Sequence, residues 1–381
     1  MGLSTWFANF NVDTSLGIIQ ECAANVSVPL GSIPQTLNGQ PYAMVLNEPL
    51  GPILSIAPWN APVILCIRAI AGPVAAGCSV VLKTSEQSPL IHFELAKLFS
   101  DAGVPAGLVN SINHSSETAA KITETLVSST YIKKITFTGS SQVGKIIASM
   151  AAKSLKPILL ELGGKSAAIV TESANIDEAA EKILNSAFAH NGQICMSTER
   201  VYVVNEIYDK FMEAISNSFI KFTSTKISLP QRSTKQAAKI ESLLSNALEG
   251  HEEAFCGKIL RNDAYIEPLI LRDVSEGKEI YDTETFGPVF YINKVSNINE
   301  AIQKVNKSRY GLSTAIWCSD ILTALEISRN IDSGAIHING NTVHDEPTLP
   351  HGGVKESGYG RFNSLWGLRE FQYTKTITMS K

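Results

Sequence analysis

No two cysteines of this chain form a CxxC pair and no histidines fall in an HExxH arrangement, so the usual sequence marks of a zinc site and of a dithiol redox centre are missing. No metal is expected. The six cysteines, at 22, 66, 78, 195, 256 and 318, are scattered through 381 residues. Thiols dispersed in this way read as reduced, in a cytoplasmic protein rather than a disulfide framework. Basic stripes and basic runs interleaved with aromatics are also lacking, and the net charge is only −4, so no nucleic-acid partner is expected. The amino end, Met1-Gly-Leu-Ser-Thr-Trp6, lacks the basic and then apolar regions of a signal peptide. Trp6 also stands where a myristoylation signal needs Ser or Thr. From Gly51 to Leu82 the only charge is Arg68, but prolines at 52, 58, 62 and 73, with Gly72 and Gly77, interrupt any membrane span. That stretch reads as buried strand, turn, helix and strand, with no membrane partner.

An α/β pattern fills the rest, in a chain long enough for two or three domains. Ile158 to Leu162 and Ala167 to Val170 predict two buried strand segments, and Gly163-Gly164 lets the backbone turn tightly between them. Glu161 then falls at a strand end among apolar neighbours. A carboxylate in such surroundings is pushed toward its neutral form, the poise of a general base working near neutral pH. Asn175-Ile-Asp-Glu predicts a capped helix with an acidic first turn, whose apolar positions run through Ile183, Leu184, Ala187 and Phe188 and which ends near Asn191-Gly192. Cys195 follows in a short loop before the strand Arg200 to Val204, so strand, helix and loop can return the thiol to the carboxylate. Taken alone, a cysteine is most often a small core hydrophobe.

Residues 1–30 read as a helix with Leu16, Ile18, Ile19 and Cys22 as its contacts. Gly51 to Asn60 reads as a strand leaving into a loop, with a helix from about Val63. Ser79 to Lys83 is the next strand, and a helix runs on to Asp101. Lys83 and Glu86 sit where an open α/β sheet usually binds a nucleotide, or else form a solvated loop pair. Further strands are expected at Leu108 to Ile112 and Ile135 to Thr138. Gly139-Ser-Ser-Gln-Val-Gly-Lys145 nearly spells a P-loop, but Ile146 stands where a hydroxyl would hold magnesium; no GxGxxG occurs either. A helix over 235–248, two helices around the strand Ser313 to Trp317, a strand within Gly334 to Gly340 and a glycine-rich closing segment from Leu349 to Arg361 complete the pattern.

Together, Glu161-Leu-Gly-Gly-Lys165 and Gly192-Gln-Ile-Cys195 resemble the paired motifs of the aldehyde dehydrogenase superfamily. Gly192-Gln-Ile-Cys-Met-Ser-Thr-Glu-Arg200 is similar to the salicylaldehyde and vanillin dehydrogenase branch, and the resemblance runs from Ala43 to the carboxyl end. It implies a Rossmann-like NAD-binding domain, shortened at its N-terminus, over 1–30 and 50–163. An α/β catalytic domain would follow over 164–365, with small β extensions at 31–49 and 371–381. In that pattern the Gly31 to Asn47 hairpin and the final strand, Phe371 to Met379, pair between subunits of a homodimer or homotetramer.

The activity implied is NAD(P)-dependent oxidation of an aromatic or similarly bulky aldehyde to the carboxylic acid. Cys195 would form the thiohemiacetal and thioester, Glu161 would activate water, and Asn60 with the Cys195 N–H would hold the oxyanion. The resemblance assigns the cofactor to Trp59, Lys83, Glu86, Ser140, Val143, Leu162, Gly163, Glu284 and Phe286. Lys83 and Glu86 would take the adenosine ribose, and Ser140 the diphosphate at a helix N-terminus. Glu284, in Thr283-Glu-Thr-Phe-Gly-Pro288, would take the nicotinamide ribose and Phe286 the ring. A carboxylate at Glu86 repels a ribose phosphate, which favours NAD while leaving NADP open. Arg68, Ile194, Met196 and His351 would line the substrate pocket. Arg68 suits either a phenolate or carboxylate ligand or a structural salt bridge. His351 replaces a Phe of the pattern and would favour a hydroxylated ring.

The pattern also departs from the family. About a hundred residues that usually precede this point are not in the chain, roughly a small domain. The Cys195 to Glu284 interval is several residues short, the Gly-Asp-Pro loop is missing between Thr223 and Ala264, and His114-Ser-Ser116 stands where many relatives have glycine. Beside the active enzyme stands a second reading, a catalytically impaired homologue acting as a non-catalytic subunit. A CoA-acylating or thioesterase variant is a third, disfavoured by the intact Glu161.

Overall fold

The computed structural model describes residues 3–28, 31–37, 42–225, 230–248, 254–259 and 261–379. The chain forms two compact units. One comprises Met1–Ala8, Leu162–His344 and Gly353–Gly358; the other comprises Asn9–Glu161, Asp345–Gly352 and Tyr359–Lys381. Both are α/β, as the sequence pattern predicts.

The unit ending at Glu161 is built on the parallel strands Ile53–Ile56, Val80–Lys83, Val109–Ile112, Lys134–Thr138 and Ile158–Glu161. Every residue of Ile53–Ile56 is buried, because a central parallel strand is covered on both faces and needs no apolar–polar alternation. Helices Pro62–Ala75, Pro89–Asp101, Ala119–Ser128 and Ser141–Ala152 are the connections between strands. Pro62 and Pro89 open theirs, where the missing N–H has no helical partner to lose. Successive strands run outward from Ile53–Ile56 on one side through Val80–Lys83 to Val109–Ile112, then on the other through Lys134–Thr138 to Ile158–Glu161. Between Ile53–Ile56 and Lys134–Thr138 the direction of winding reverses, and the carboxyl ends of strands at such a switch are where open α/β sheets bind ligands.

The unit beginning at Leu162 has a six-stranded parallel sheet in the order Leu269–Arg272, Val289–Val295, Thr198–Val204, Ser166–Val170, Ser313–Trp317, Ala335–Ile338. Ala167–Val170 and Val201–Val204 are wholly buried and pack with Ile183, Leu184 and Phe188 of the helix Ile176–Phe188 and with Phe211 and Ile215 of the helix Tyr208–Thr225. Asn175 caps the first of these helices by accepting from the Glu178 N–H at 3.3 Å, and Asp177 and Glu178 complement its N-terminal dipole.

Gly31–Ser32, Tyr42–Pro49 and Gln372–Met379 form a separate antiparallel sheet within the one chain, with Gln372 opposite Pro49 and Met379 opposite Tyr42, whereas the resemblance had these strands pairing between subunits. Residues 38–41 of the expected hairpin lie outside the described residues. The chain passes between units at Glu161–Leu162, two residues before the boundary expected from sequence. Segments 345–352 and 359–365, expected in the catalytic part, belong to the unit ending at Glu161, because Arg68 pairs with Asp345 and His351 exchanges backbone hydrogen bonds with Phe362. In the helix Thr5–Asn25, Ile18 packs on Ile64, Leu65 and Ile67 and Cys22 is half-buried, whereas Leu16 and Ile19 face solvent, contrary to the expectation that all four are contacts. Among the described residues no helix is long and apolar enough to cross a membrane.

Candidate active site

In the Leu162 unit, the helix ending at Phe188 continues into a tight turn, Ala189–Gly192, that delivers Cys195. His190 and Asn191 adopt φ of 47° and 58°, in the left-handed region that non-glycine residues rarely enter. Gly192 follows at φ 72°, and a Cβ there would lie 2.0 Å from the Gly287 carbonyl oxygen, so only glycine fits. Gln193 ties the turn down: its Nε2 donates to the His190 carbonyl at 3.2 Å, and its Oε1 accepts from the Arg232 N–H at 2.8 Å. The Ser197 N–H donates to the Ile194 carbonyl at 2.9 Å, closing a turn around Cys195. Cys195 is half-buried between Ile194 and Met196, both buried.

Gly163 and Gly164 pack against this turn and against Glu284. A Cβ on Gly164 would meet the Cys195 carbonyl oxygen at 2.6 Å, and one on Gly163 would meet Glu284 Oε2 at 2.3 Å. The Gly164 N–H donates to Glu284 Oε1 at 3.1 Å. Burial, and then the Glu199 charge, push the Glu284 carboxyl up to about 8. Leu162 is buried, its N–H donating to the Ser357 carbonyl at 3.0 Å, while the Ser357 hydroxyl donates to the Gly163 carbonyl at 2.8 Å.

The loop carrying Glu284 and Phe286 is held by residues to which the sequence reading gave no role. Glu199 accepts from the Thr285 N–H at 2.9 Å and the Phe286 N–H at 3.1 Å, and pairs with Lys165 Nζ at 2.5 Å. Lys165 also donates to Thr285 Oγ1 at 3.0 Å, and Arg200 Nε to the Lys165 carbonyl at 2.7 Å. From the helix Thr234–Leu248, Gln236 Nε2 donates to the Thr285 carbonyl at 3.0 Å and Lys239 Nζ to the Glu284 carbonyl at 3.2 Å. The available signal was charge inside apolar motifs: Lys165 and Glu199 are both almost fully buried, which charged side chains accept only when paired.

In the Glu161 unit, the expected residues gather at the carboxyl ends of the parallel strands. Trp59, half-buried, and Asn60, buried, lie in the turn between Ile53–Ile56 and the helix at Pro62. Lys83 ends its strand, buried; desolvation pulls its ammonium below the ordinary value while Glu86 pulls it back. Ser140 caps the helix Ser141–Ala152, its hydroxyl accepting from the Val143 N–H at 3.4 Å, so the near-P-loop turn is a helix N-terminus. His114 Nε2 lies 2.9 Å from the Thr84 carbonyl oxygen. The Gly139 N–H donates to the Glu161 carbonyl at 3.1 Å, joining the Ser140 turn to the last strand.

Glu161 is 1% exposed, and neither of its carboxylate oxygens has a hydrogen-bond partner among the described residues. His351 Nε2 stands 3.7 Å from Glu161 Oε1, and His351 Nδ1 stands 3.8 Å from Asp345 Oδ1. Asp345 is ion-paired with Arg68, which also donates from Nε to Asn363 Oδ1 at 3.1 Å; Asn363 Nδ2 in turn donates to Asp345 Oδ1 at 3.2 Å. Although burial pushes the Asp345 carboxyl up, Arg68 and then His351 hold it below its ordinary value. Arg68 thus makes the buried ion pair that was one of the two roles open to it.

A family model described as "Aldehyde dehydrogenase family" matches residues 1–377. Vanillin dehydrogenase of Pseudomonas sp. strain HR199 is 37% identical over 382 residues, 98% of this chain and 78% of that protein. Salicylaldehyde dehydrogenase of Pseudomonas putida is 38% identical over 386 residues, 100% of this chain and 80% of that protein. The crystal structure of a salicylaldehyde dehydrogenase from Pseudomonas putida G7 complexed with salicylaldehyde superposes with a TM-score of 0.96 at 37% identity, covering 100% of this chain and 80% of that one. An E. coli NADP-dependent enzyme matches with a TM-score of 0.94 at 28% identity, over 100% of this chain and 80% of that one. An NAD-dependent aldehyde dehydrogenase from Sinorhizobium meliloti matches with a TM-score of 0.93 at 28% identity, over 100% and 76%. Neighbours of both nucleotide preferences thus share the fold, and the motifs, the match along almost the whole chain and these superpositions establish that the chain belongs to the aldehyde dehydrogenase family.

Proposed function

We propose that this chain oxidises an aromatic or similarly bulky aldehyde to its carboxylic acid with NAD, through a covalent intermediate on Cys195. The observation that carries the reading is the packing of Gly163-Gly164 against both the Glu284 carboxylate and the Cys195 carbonyl, which makes the nucleophile's turn and the proposed cofactor loop one rigid piece. Glu161 precedes Gly164 by three residues and supplies a buried carboxylate with no competing hydrogen bond among the described residues. The bulky aldehyde is carried over from the vanillin and salicylaldehyde dehydrogenases that this chain resembles.

The residues fit a dinucleotide. Glu284 and Phe286 would hold the nicotinamide half, beside a glycine whose Cβ would fill the cradle. Ser140 and Val143 would hold the diphosphate at a helix N-terminus, with Lys83 and Glu86 at the ribose, and the resemblance adds Trp59, Leu162 and Gly163 to the cofactor's contacts. Glu86 supports NAD over NADP through charge repulsion. When bound, the cofactor accepts the hydride. The Cys195 thiolate would add to the aldehyde carbon and, once the carbon is oxidised, carry the acyl group as a thioester, while Asn60 and the Cys195 N–H would hold the oxygen's charge. Glu161 then takes a proton from water, which attacks the thioester carbon and expels the thiolate. Ile194, Met196 and His351 would border the aldehyde. The strands Tyr42–Pro49 and Gln372–Met379 pair within one chain, and it is the outer edge of their sheet that would join a homodimer or homotetramer; six free thiols suit a cytoplasmic protein.

The test is NADH formation by the purified chain from salicylaldehyde, vanillin and benzaldehyde, with NAD and NADP in parallel. We expect Cys195→Ala to abolish oxidation while NAD still binds, and Glu161→Gln to give one burst of NADH per active site without turnover. Steady-state oxidation by Glu161→Gln at the wild-type rate would refute its role. A folded wild-type chain that binds NAD but yields no NADH from any of the three would leave the non-catalytic subunit.

A further inference from the structure

We propose that His351, braced by Asp345 and Arg68, is a positioning residue that relieves Glu161 of the proton acquired in each turnover. The inference rests on the assignment of Glu161 as the base. If Glu161 collects one proton per thioester hydrolysed, that proton must leave before the next cycle. At 1% exposure, with both oxygens buried, Glu161 has no direct outlet to solvent. Among the described residues, the basic group within 4 Å of it is the His351 imidazole.

Carboxylate, imidazole, carboxylate and guanidinium follow one another through Glu161, His351, Asp345 and Arg68. The gaps of 3.7 and 3.8 Å exceed a direct hydrogen bond, so a small ring rotation or one bridging water closes each. His351 is fixed on its backbone by two hydrogen bonds with Phe362, of 3.1 and 2.8 Å, leaving the ring as the moving part. Arg68 keeps Asp345 ionised, so Asp345 steadies a charged imidazole without removing its proton. Among the described residues, the charged groups facing His351 are Glu161 from its strand and Asp345 from its own loop, with Arg68 behind it; Arg361 lies against the neighbouring Gly352.

The step balances. An O–H bond of water breaks as its oxygen bonds the thioester carbon, and collapse of the adduct breaks the C–S bond and returns the thiolate to Cys195. The proton passes to Glu161 Oε1, from there to His351 Nε2, and finally to solvent.

Two measurements test this. In stopped flow at saturating salicylaldehyde and NAD, so that a lost aldehyde contact at His351 is outweighed, His351→Gln is expected to lose about tenfold in steady-state kcat and clearly less in the NADH burst, with the acid limb of the kcat–pH profile altered. Added imidazole should restore turnover in His351→Ala. Independently of activity, nitrogen-15 NMR of the histidine rings in the cofactor-free chain should show the His351 Nε2 signal displaced in Glu161→Gln and the Nδ1 signal displaced in Asp345→Asn, since each nitrogen then loses the carboxylate nearest to it. Wild-type turnover and pH profile in His351→Gln, or His351 ring signals indifferent to both carboxylates, overturns the inference. An equal loss of burst and turnover also overturns it, confining His351 to aldehyde binding. An inactive wild type refutes the reading of the chain as an oxidising enzyme, and the ring signals then decide the His351–Glu161 coupling alone.

Discussion

Glu284 is a carboxyl whose surroundings contradict its ordinary charge. Burial and the nearby Glu199 raise it from 4.5 to about 8, against the pull of the Gly164 N–H, Lys239 and Lys165. Folding therefore favours the protonated form: the stability it contributes is fully present below about 4.5 and is lost as pH rises through about 8. Cofactor binding runs the other way, because ribose hydroxyls donate more strongly to an ionised carboxylate. If Glu284 is a cofactor ligand, NAD affinity strengthens between pH 6.5 and 8.5, by roughly an order of magnitude where only the ionised form binds. Tryptophan fluorescence titration with NAD across that range checks this, and Glu284→Gln should flatten the dependence. A wild-type affinity that does not change with pH would remove Glu284 from the cofactor. Its neighbour Gly163 offers a milder perturbation. A methyl there meets first the carboxyl end of the Glu284 side chain, which can swing aside, so Gly163→Ala should fold with near-wild-type stability while binding NAD more weakly.

At the scale of elements, the turn Ala189–Gly192 is the contrasting case. A Cβ at Gly192 meets backbone, the Gly287 carbonyl, at a φ of 72°, so neither partner has an inexpensive way to move. Gly192→Ala is expected to destabilise the fold by more than about 2 kcal/mol in urea denaturation, where Gly163→Ala stays within about 1 kcal/mol. Equal losses in the two variants would mean that the turn is softer than its packing indicates. This turn was largely legible in the sequence. The Asn175 cap, the acidic first turn and the Asn191-Gly192 stop are local signals, and the structure follows them to within a few residues. The anchoring of the Glu284 loop was not. Glu199 reaches the N–H groups of Thr285 and Phe286 across 86 and 87 positions, and no local propensity encodes which buried carboxylate meets which loop. Lys165 stood in a recognised motif, yet its ion pair with Glu199 depends on two neighbouring strands, Ser166–Val170 and Thr198–Val204, coming into register. The Arg68–Asp345–His351 row was hidden for the same reason: Arg68 and Asp345 lie 277 positions apart, and the sequence left both a ligand and a salt bridge open for the arginine.

For the molecule as a whole, the telling feature is an edge. Gln372–Met379 is the outer strand of the three-stranded sheet, eight residues long and largely exposed. It is held in register by Lys375 paired with Glu48 and by the Tyr373 hydroxyl, which donates to Glu48 at 2.6 Å. An edge strand of this length presents a row of backbone N–H and C=O groups on its outer side, which proteins ordinarily twist away, cover or use. Here the neighbouring strand Tyr42–Pro49 pairs along its whole length with Gln372–Met379 and, among the described residues, only at Val45 and Leu46 with Gly31–Ser32, so the outer edge of Gln372–Met379 is the longest edge this sheet offers to a further strand. If that edge joins subunits, light scattering coupled to size exclusion should give the mass of a dimer or tetramer. Deleting Thr374–Lys381 should then yield monomers, while circular dichroism still reports the two parallel sheets, because none of the strands of those sheets lies in the deleted stretch. A wild-type chain that runs as a monomer, or a deletion that leaves the assembly mass unchanged, would show that the edge serves something other than subunit pairing.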